Sequence, residues 1–520
     1  MAHDSKLLEP PKGQYFLAGR TFQRVKWWKR PNMRLLYFYI AVLIATNTAN
    51  GFDNSMMNGL QSLSYWQDYF NHPKGPTLGL FNCVMSAGAL TGLVFLPYML
   101  DHFGRKPCIV FGSFFMLLGV ALQSGSINFS MFVGARYILG FGDIIVICTA
   151  PLLITEIAPA QDRAILVTIA GATYHSGAFI AAWTTYGTLK IKNEWSWRAP
   201  SLIQGLFTLL MLAVVWWIPE SPRYYISKDQ PEKGLQILAH YHAEGNEDDE
   251  VVQLEYIEIT TAIAMERNSE HSSSFLDFLR TPGNRKRTLI IITFGLFAQW
   301  SGNGLVSYYL NLIMDSIGIT DPNKQLLING ALTSFSLVTN VFFSFFVDRW
   351  GRRPIMIVSS AGMLASFVVW TALSARYDIH ASPSLGSGVL GMIFIYYLFY
   401  NLKSGLIASY TTEILPYSMR AKGYTIMEFA MYIALFFNQY VNPIALNNIH
   451  WRYYIFYCCF LAVEIVVIWV FYVETRYVPL EEITKLFDGE DVVAATNVEM
   501  EKAIESGKGF TTAVHIEQAN

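Results

Sequence analysis

Charge is scarce in this chain. Only 15% of its 520 residues are Asp, Glu, Lys or Arg, where a soluble protein of ordinary composition carries roughly 25%. Cysteine is scarce too, and Cys83, Cys108, Cys148, Cys458 and Cys459 all fall inside or at the edge of apolar runs. They read as small buried apolar residues, not as disulfides or metal ligands, and say nothing of compartment. There is no G-x-x-x-x-G-K-[ST] loop, which argues against a nucleotide-driven pump. No metal-ligand cluster and no nucleophile constellation stand out, so neither an enzyme nor a bound cofactor or metal is expected. The net charge of −2 gives no reason to expect a nucleic-acid partner.

What the chain has is apolar length. It is 53% hydrophobic, with a mean hydropathy of +0.31, and long apolar runs alternate with short charged ones. A run of about 18 or more apolar residues can cross the hydrocarbon core as a helix. Only helices and closed barrels satisfy their backbone there, and these runs lack the alternation of barrel strands. Roughly twelve spans are expected, with lipid as their solvent. The first half gives 35–57, 77–99, 108–125, 129–151, 164–186 and 200–218. The second gives 288–312, 325–347, 355–373, 387–411, 422–445 and 452–473.

Lys and Arg collect near particular span ends: Lys26, Lys29, Arg30 and Arg34; Arg105 and Lys106; Arg285, Lys286 and Arg287; Arg349, Arg352 and Arg353. An even number of spans places both termini and these loops on one side, expected to be the cytosol. Polar and basic residues from Lys6 to Arg34 precede the first apolar run, which is not the pattern of a cleavable signal peptide.

The two halves repeat one another. DHFGRKP at 101–107 returns as DRWGRRP at 348–354, an offset of 247. ITEIAPAQDRA at 154–164 returns as TTEILPYSMRA at 411–421, an offset of 257, with Glu and Arg seven apart in both copies (Glu156 and Arg163, Glu413 and Arg420). PESPR at 219–223 is echoed by VETRYVP at 473–479. Three motifs in one order at nearly one offset imply a duplicated six-span unit. The expected fold is an all-α membrane protein of twelve helices in two pseudo-symmetric six-helix bundles. Its parts are a tail at 1–34, a bundle at 35–218, a linker with short helices at 219–287, a bundle at 288–473 and a tail at 474–520. The last of these is polar and expected to be mostly mobile from about 480 onward.

In each short loop the Gly (Gly104, Gly351) permits a tight turn between spans. The neighbouring Asp101, Arg105, Asp348 and Arg352 sit where basic residues can pair with carboxylates of the neighbouring bundle. Glu156 and Glu413 are the expected partners, with Arg163 and Arg420 beside them. Such a network would lock the cytosolic side when the carrier faces outward. The plainer reading is that these charges only set topology.

DHFGRKP, DRWGRRP, RYILGFG at 136–142, PLLITE at 151–156, PESPR and QWSGNGLVSYYL at 299–310 together resemble the sugar porters of the major facilitator superfamily. The resemblance runs from about residue 35 to 485, and GFDNSMMNG with QWSGNGLVSYYL is similar to fungal lactose permeases and cellodextrin transporters. The chain departs from the family pattern in several places. Ala298 stands where the first of two adjacent Gln is usual, Asn303 comes one place early and leaves Gly304 at the usual site, and Ile144 replaces a Gly. Lys403, Ser404 and Ala408 occupy the region of the tenth-span prolines and tryptophan of hexose carriers.

Ionisable residues inside spans cost about 2.5–3.5 kcal/mol at mid-helix on insertion scales, so each invites a functional reading. The resemblance places Asp53 on the protonatable Asp of proton-coupled members and Arg136 on its basic partner. A structural ion pair that never titrates is the plainer alternative. His175 falls where many members hold a sugar-binding Gln, and an imidazole can both donate and accept, although a packed structural His fits as well. Gln299, Asn303, Tyr308, Tyr309 and Asn340 supply amides, hydroxyls and aromatic faces suited to a sugar. Adjacent tyrosines on a helix point about 100° apart, so one of the two is expected to face the cavity. Asp143, Glu428 and Glu464 have no assigned role beyond helix–helix hydrogen bonding, and Lys403 has none. Trp27, Trp28, Trp216 and Trp217 read as interfacial anchors.

The resemblance thus implies a monomeric multi-pass plasma-membrane carrier importing a sugar by alternating access with a proton. The cargo expected is a disaccharide such as lactose or cellobiose, or a hexose. A transporter of some other metabolite, importer or exporter, and a transporter-like sugar sensor are the rival readings.

Overall fold

The computed structural model describes residues 13–17, 20–268, 275–344, 346, 350–415, 419–476 and 487. The expected mobile tail beyond 480, together with Asp348 and Arg349, lies outside the described residues, Phe487 apart.

Among the described residues a short antiparallel hairpin, β1 (Gln14–Leu17) and β2 (Arg20–Gln23), comes first. The first six spans follow as α1 (Pro31–Leu60), a short α2 (Ser64–Tyr69), α3 (Gly75–Phe103), α4 (Arg105–Ser124), α5 (Phe129–Ile157), α6 (Arg163–Thr188), and the pair α7 (Trp195–Ile203) and α8 (Gly205–Val214). The linker carries α9 (Pro222–Ser227), α10 (Pro231–His242), α11 (Glu250–Asn268) and α12 (Asp277–Arg280). The second half comprises α13 (Pro282–Trp300), α14 (Asn303–Ser316), α15 (Pro322–Ser344), α16 (Arg352–Ile379), α17 (Pro383–Ser404), α18 (Leu406–Glu413), α19 (Arg420–Ile449) and α20 (Tyr453–Phe471).

All twelve expected spans have a helical counterpart, and the last two are separated by a turn at His450, whose φ is +48°. Three spans are interrupted. In the sixth, at Gln204, and in the tenth, at Gly405, the interrupting residue keeps helical φ and ψ. The seventh breaks at Ser301-Gly302, with Gly302 at φ +103°, and kinks again at Tyr309. Only glycine takes that φ cheaply.

The helix ends that carry the 104 and 351 loops and the linker helices define one side of the molecule, called here the linker side. Gly104 (φ +91°) and Gly351 (φ +87°) turn the chain sharply into α4 and α16. The exposed N–H groups of those two helices meet the third repeated motif. Glu220 accepts from Arg105 N (3.1 Å) and Lys106 N (2.9 Å), and Glu474 accepts from Arg352 N (2.9 Å) and Arg353 N (3.0 Å). A carboxylate is favourable at a helix N-terminus, where the unpaired donors and the helix dipole converge. The duplication holds one step further, since Lys106 Nζ donates to Trp216 O and Arg353 Nη2 to Trp469 O.

The described residues of the expected N-terminal tail are folded against the linker and the α5–α6 loop. Arg20 pairs with Glu250 at 2.8 Å, Val25 and Gln161 exchange hydrogen bonds, and Arg30 donates to His242 O.

Candidate functional site

On the side away from the linker the bundles are sealed together. One apolar cluster joins Phe52, Met56 and Leu60 of α1 and Trp66 of α2 to Leu305, Leu310 and Leu326 of the second half. Polar groups cross the same seam: Asn58 Nδ2 donates to Asn329 Oδ1 (3.0 Å), Gln61 Nε2 to Tyr308 O (3.0 Å), and Ser86 Oγ to Gln439 Oε1 (2.7 Å).

Below the seam, toward the linker, the interior opens. Tyr174 and His175 on α6, Cys148 on α5, Tyr400 on α17, and Tyr424 and Tyr432 on α19 are crowded by protein yet keep partly exposed side chains. Both bundles therefore contribute walls to a cleft at this level. The molecule is closed on the far side and accessible from the linker side.

Asp53 and Arg136 lie in the wall that α1 and α5 share, each 1% exposed. They are electrostatic neighbours but form no ion pair in this state. Arg136 Nη2 reaches only Met85 Sδ (3.4 Å), its Nε and Nη1 have no partner, and neither has Asp53 Oδ1. Unpartnered buried charged groups are costly, and here they stand in a place that another conformation can rearrange. Asp143, for which the sequence offered no role, accepts from Asn50 Nδ2 at 2.6 Å.

The expected substrate-binding groups divide. Gln299 is partly buried with Oε1 unpartnered, and Asn303 is partly exposed beside Ser307 and Tyr397. His175 rests edge-on to Tyr174 on the cleft surface. Both tyrosines of the seventh span, by contrast, serve the seam. Tyr308 Oη donates to Asn54 Oδ1 (3.3 Å), while Tyr309 Oη donates to Gln439 O and accepts from Asn82 Nδ2 (3.1 Å). The kink at Tyr309 lets both hydroxyls reach polar groups there, where a straight helix would have pointed them about 100° apart. Asn340 donates to Ser404 Oγ at 2.6 Å, which ties α15 to the interrupted tenth span.

The linker-side arginines find their carboxylates within their own bundle. Arg105 pairs with Glu156 (2.8 Å) and Arg352 with Glu413 (2.9 Å), where the sequence had suggested partners on the neighbouring bundle. With the far side sealed and the linker side accessible, same-bundle carboxylates are the ones in reach. Asp101 is exposed, Arg163 lies in the field of the His242–Glu255 pair, and Arg420 Nε donates to Leu415 O.

Sequence reasoning missed the polar stripe of α1: Asn47, Asn50, Asn54 and Asn58, at steps of three and four, share one face. Amides at that spacing inside an apolar run are the signal that was available. The buried trio of Lys403, Glu464 and Ser360 was also missed as a unit, because its members come from three different spans.

Comparison with known proteins agrees with this architecture. Residues 39–487 match the family described as sugar (and other) transporter. MFS-type transporter oryC of Aspergillus oryzae is 28% identical, over 89% of this chain and 87% of its own. Sugar transporter STL1 of Saccharomyces cerevisiae is 24% identical, over 90% of this chain and 84% of its own. The proton:xylose symporter XylE bound to 6-bromo-6-deoxy-D-glucose superposes with a TM-score of 0.70 at 20% identity, over 88% of this chain and all of that one. With the family matched along most of its length, this chain belongs to the sugar (and other) transporter family and is a multi-pass membrane transporter, not an enzyme.

Proposed function

We propose that this protein imports a sugar by alternating access, coupled to a proton, as a monomer in the plasma membrane with both termini in the cytosol. The linker side is then the cytosolic side. The observation that carries the reading is the Asp53–Arg136 pair, buried in the α1–α5 wall and unpaired in the state accessible from the linker side. A carboxylate favours its charged form next to a guanidinium and its protonated form when desolvated away from one, so protonation and conformation become coupled. Gln299, Asn303 and His175 offer donors and acceptors to sugar hydroxyls, and Tyr397 and Tyr400 add aromatic surface beside them.

One proton crossing 100 mV releases about 2.3 kcal/mol. That sustains roughly fifty-fold accumulation of a neutral solute, since 1.4 kcal/mol is a factor of ten. Relatives named for glucose and other sugars, and the xylose symporter of like fold, support a sugar as cargo. Uptake of labelled lactose, cellobiose and glucose into cells lacking their own carriers tests the reading. Concentrative uptake abolished by a protonophore is the expected result. No uptake of any sugar, with the protein at the surface, transfers the reading to a different metabolite. That second reading draws on the reshaped site at Ala298 and Lys403, and on relatives named only as MFS-type transporters.

A further inference from the structure

The bond from Asn50 to Asp143 fixes the register of two antiparallel helices, α1 running away from the linker side and α5 running back. Helical rise then orders the charges by depth. Asp53 stands three residues beyond Asn50, about 4.5 Å farther from the linker side, and Arg136 stands seven residues before Asp143, about 10.5 Å in the same direction. Asp53 therefore lies at a level between Arg136 and Asp143, and both are its charged neighbours. Cys148, five residues past Asp143, lies about 7.5 Å nearer the linker side. Both Asp143 and Glu428 of α19 act electrostatically on Cys148 and on Tyr432, one turn above Glu428. The acids thus descend from mid-molecule to the cleft: Asp53, Asp143, then Glu428 beside the partly exposed Tyr424.

We infer that Asp143 and Glu428 form the exit path for the proton carried by Asp53, a relay that crosses from the first bundle to the second and ends in the linker-side cleft. The inference rests on the proton-coupled reading of Asp53. Three observations carry it: the depth order, the buried Asp53 Oδ1 that lacks a partner, and the Asn50 bond, which occupies Asp143 Oδ2 and leaves Oδ1 to take a proton. In sequence, the Asp53 carboxyl gives its proton to the Asp143 carboxylate, Asp143 gives it through water entering from the cleft to the Glu428 carboxylate, and Glu428 gives it to water in the cleft. Each step breaks one O–H bond and forms another, and each donor is left as a carboxylate. The Arg136 guanidinium then holds the emptied Asp53. Tyr174, Tyr424, Tyr432 and Cys148 are further titratable groups facing the path.

The test uses the full chain in proteoliposomes, with labelled cellobiose, lactose and glucose. Asp143→Asn and Glu428→Gln should keep sugar counterflow within about twofold, while the initial rate of accumulation driven by a proton gradient falls about a hundredfold, the lower range for losing a positioned proton-transfer group. Asp143→Glu should restore accumulation. Wild-type accumulation in both neutral variants overturns the relay. So does loss of counterflow together with accumulation when Asp143→Glu fails equally, since that marks a structural role. Infrared difference spectra between acid and neutral pH, with no sugar present, read the carboxyls directly. Each neutral variant should lose one titrating carboxyl band, and unchanged spectra overturn the relay. Should the wild type accumulate no sugar on a proton gradient, the symport reading fails on that result alone.

Discussion

His242 Nδ1 lies 2.6 Å from Glu255 Oε2, and the opposite ring nitrogen lies 3.1 Å from the carbonyl of Ile157 at the end of α5. A carbonyl can only accept, so Nε2 carries a proton. The nitrogen facing a carboxylate is best satisfied when it carries one too. The imidazolium is therefore the form that pins the linker helices to the transmembrane bundle.

A pH dependence of linker docking follows. Burial opposes the charge on His242, but the Glu255 carboxylate outweighs it and holds the imidazole above its usual value, with Arg163 opposing. Burial likewise favours neutral Glu255, and the charge of His242 reverses this and holds the carboxyl below its usual range. The His242 contribution is complete below about 6.5 and is lost as pH rises through its raised value, whereas the Glu255 contribution is complete above about 4.3 and is lost as pH falls through its lowered one. Hydrogen exchange of amides in 231–268, corrected for intrinsic rates, should show firm docking between those limits and loosening above them. His242→Gln should remove the dependence on the alkaline side. Protection that stays flat with pH would sink the idea.

The Glu220 and Glu474 caps give a second expectation. Each carboxylate satisfies two backbone donors at the start of a transmembrane helix. Replacing either by Ala should cost about 1–2 kcal/mol, the upper range for losing a cap with charge assistance. Thermal unfolding in detergent reads this, and equal melting of both variants and wild type would show that the repeated Glu does not cap.

The twelve spans were legible because one physical demand, enough apolar length to cross a bilayer, leaves a mark on every residue of a span. The repeat was legible because capping Glu, turning Gly and paired Arg are local or at fixed offsets. Partner choice was not. That Asn340 meets Ser404, or that Tyr309 reaches Gln439, depends on helix rotation and on a kink that no periodicity announces. The hairpin at 14–23 was illegible for a related reason, since its four-residue strands are too short to show a period and Arg20 of β2 finds its partner in Glu250, more than two hundred residues away.

Close packing across the seam supplies a third expectation. A Cβ built on Gly79 of α3 would stand 2.8 Å from the carbonyl oxygen of Tyr440 on α19, in the opposite bundle. Overpacking of this kind costs about 1–3 kcal/mol, enough to move a two-state ratio fivefold or more. Gly79→Val should therefore shift the protein toward opening on the far side. The rate at which a membrane-impermeant maleimide labels Asn58→Cys, a seam residue, should rise by about that factor. No change in labelling would mean that the seam relaxes around the valine.

A buried ion pair in the second bundle gives the last expectation. Lys403 Nζ lies 2.5 Å from Glu464 Oε1, which also accepts from Ser360 Oγ at 2.7 Å, and the charged side chains are 6% and 0% exposed. Three spans thus meet at one carboxylate, two residues before the Gly405 interruption. Removing one partner of such a pair leaves a buried charge uncompensated and typically costs 3–5 kcal/mol, whereas replacing both with apolar residues is often neutral. Lys403→Met should then lower the melting temperature sharply, and Lys403→Met with Glu464→Leu should recover most of the loss. If the pair only holds the helices together, the double variant also recovers transport. If it sets how the tenth span hinges at Gly405, the double variant regains stability but not transport. Melting and uptake measured on the same preparations decide between the two. A single variant as stable as wild type would show that the lysine is not confined to Glu464 at all.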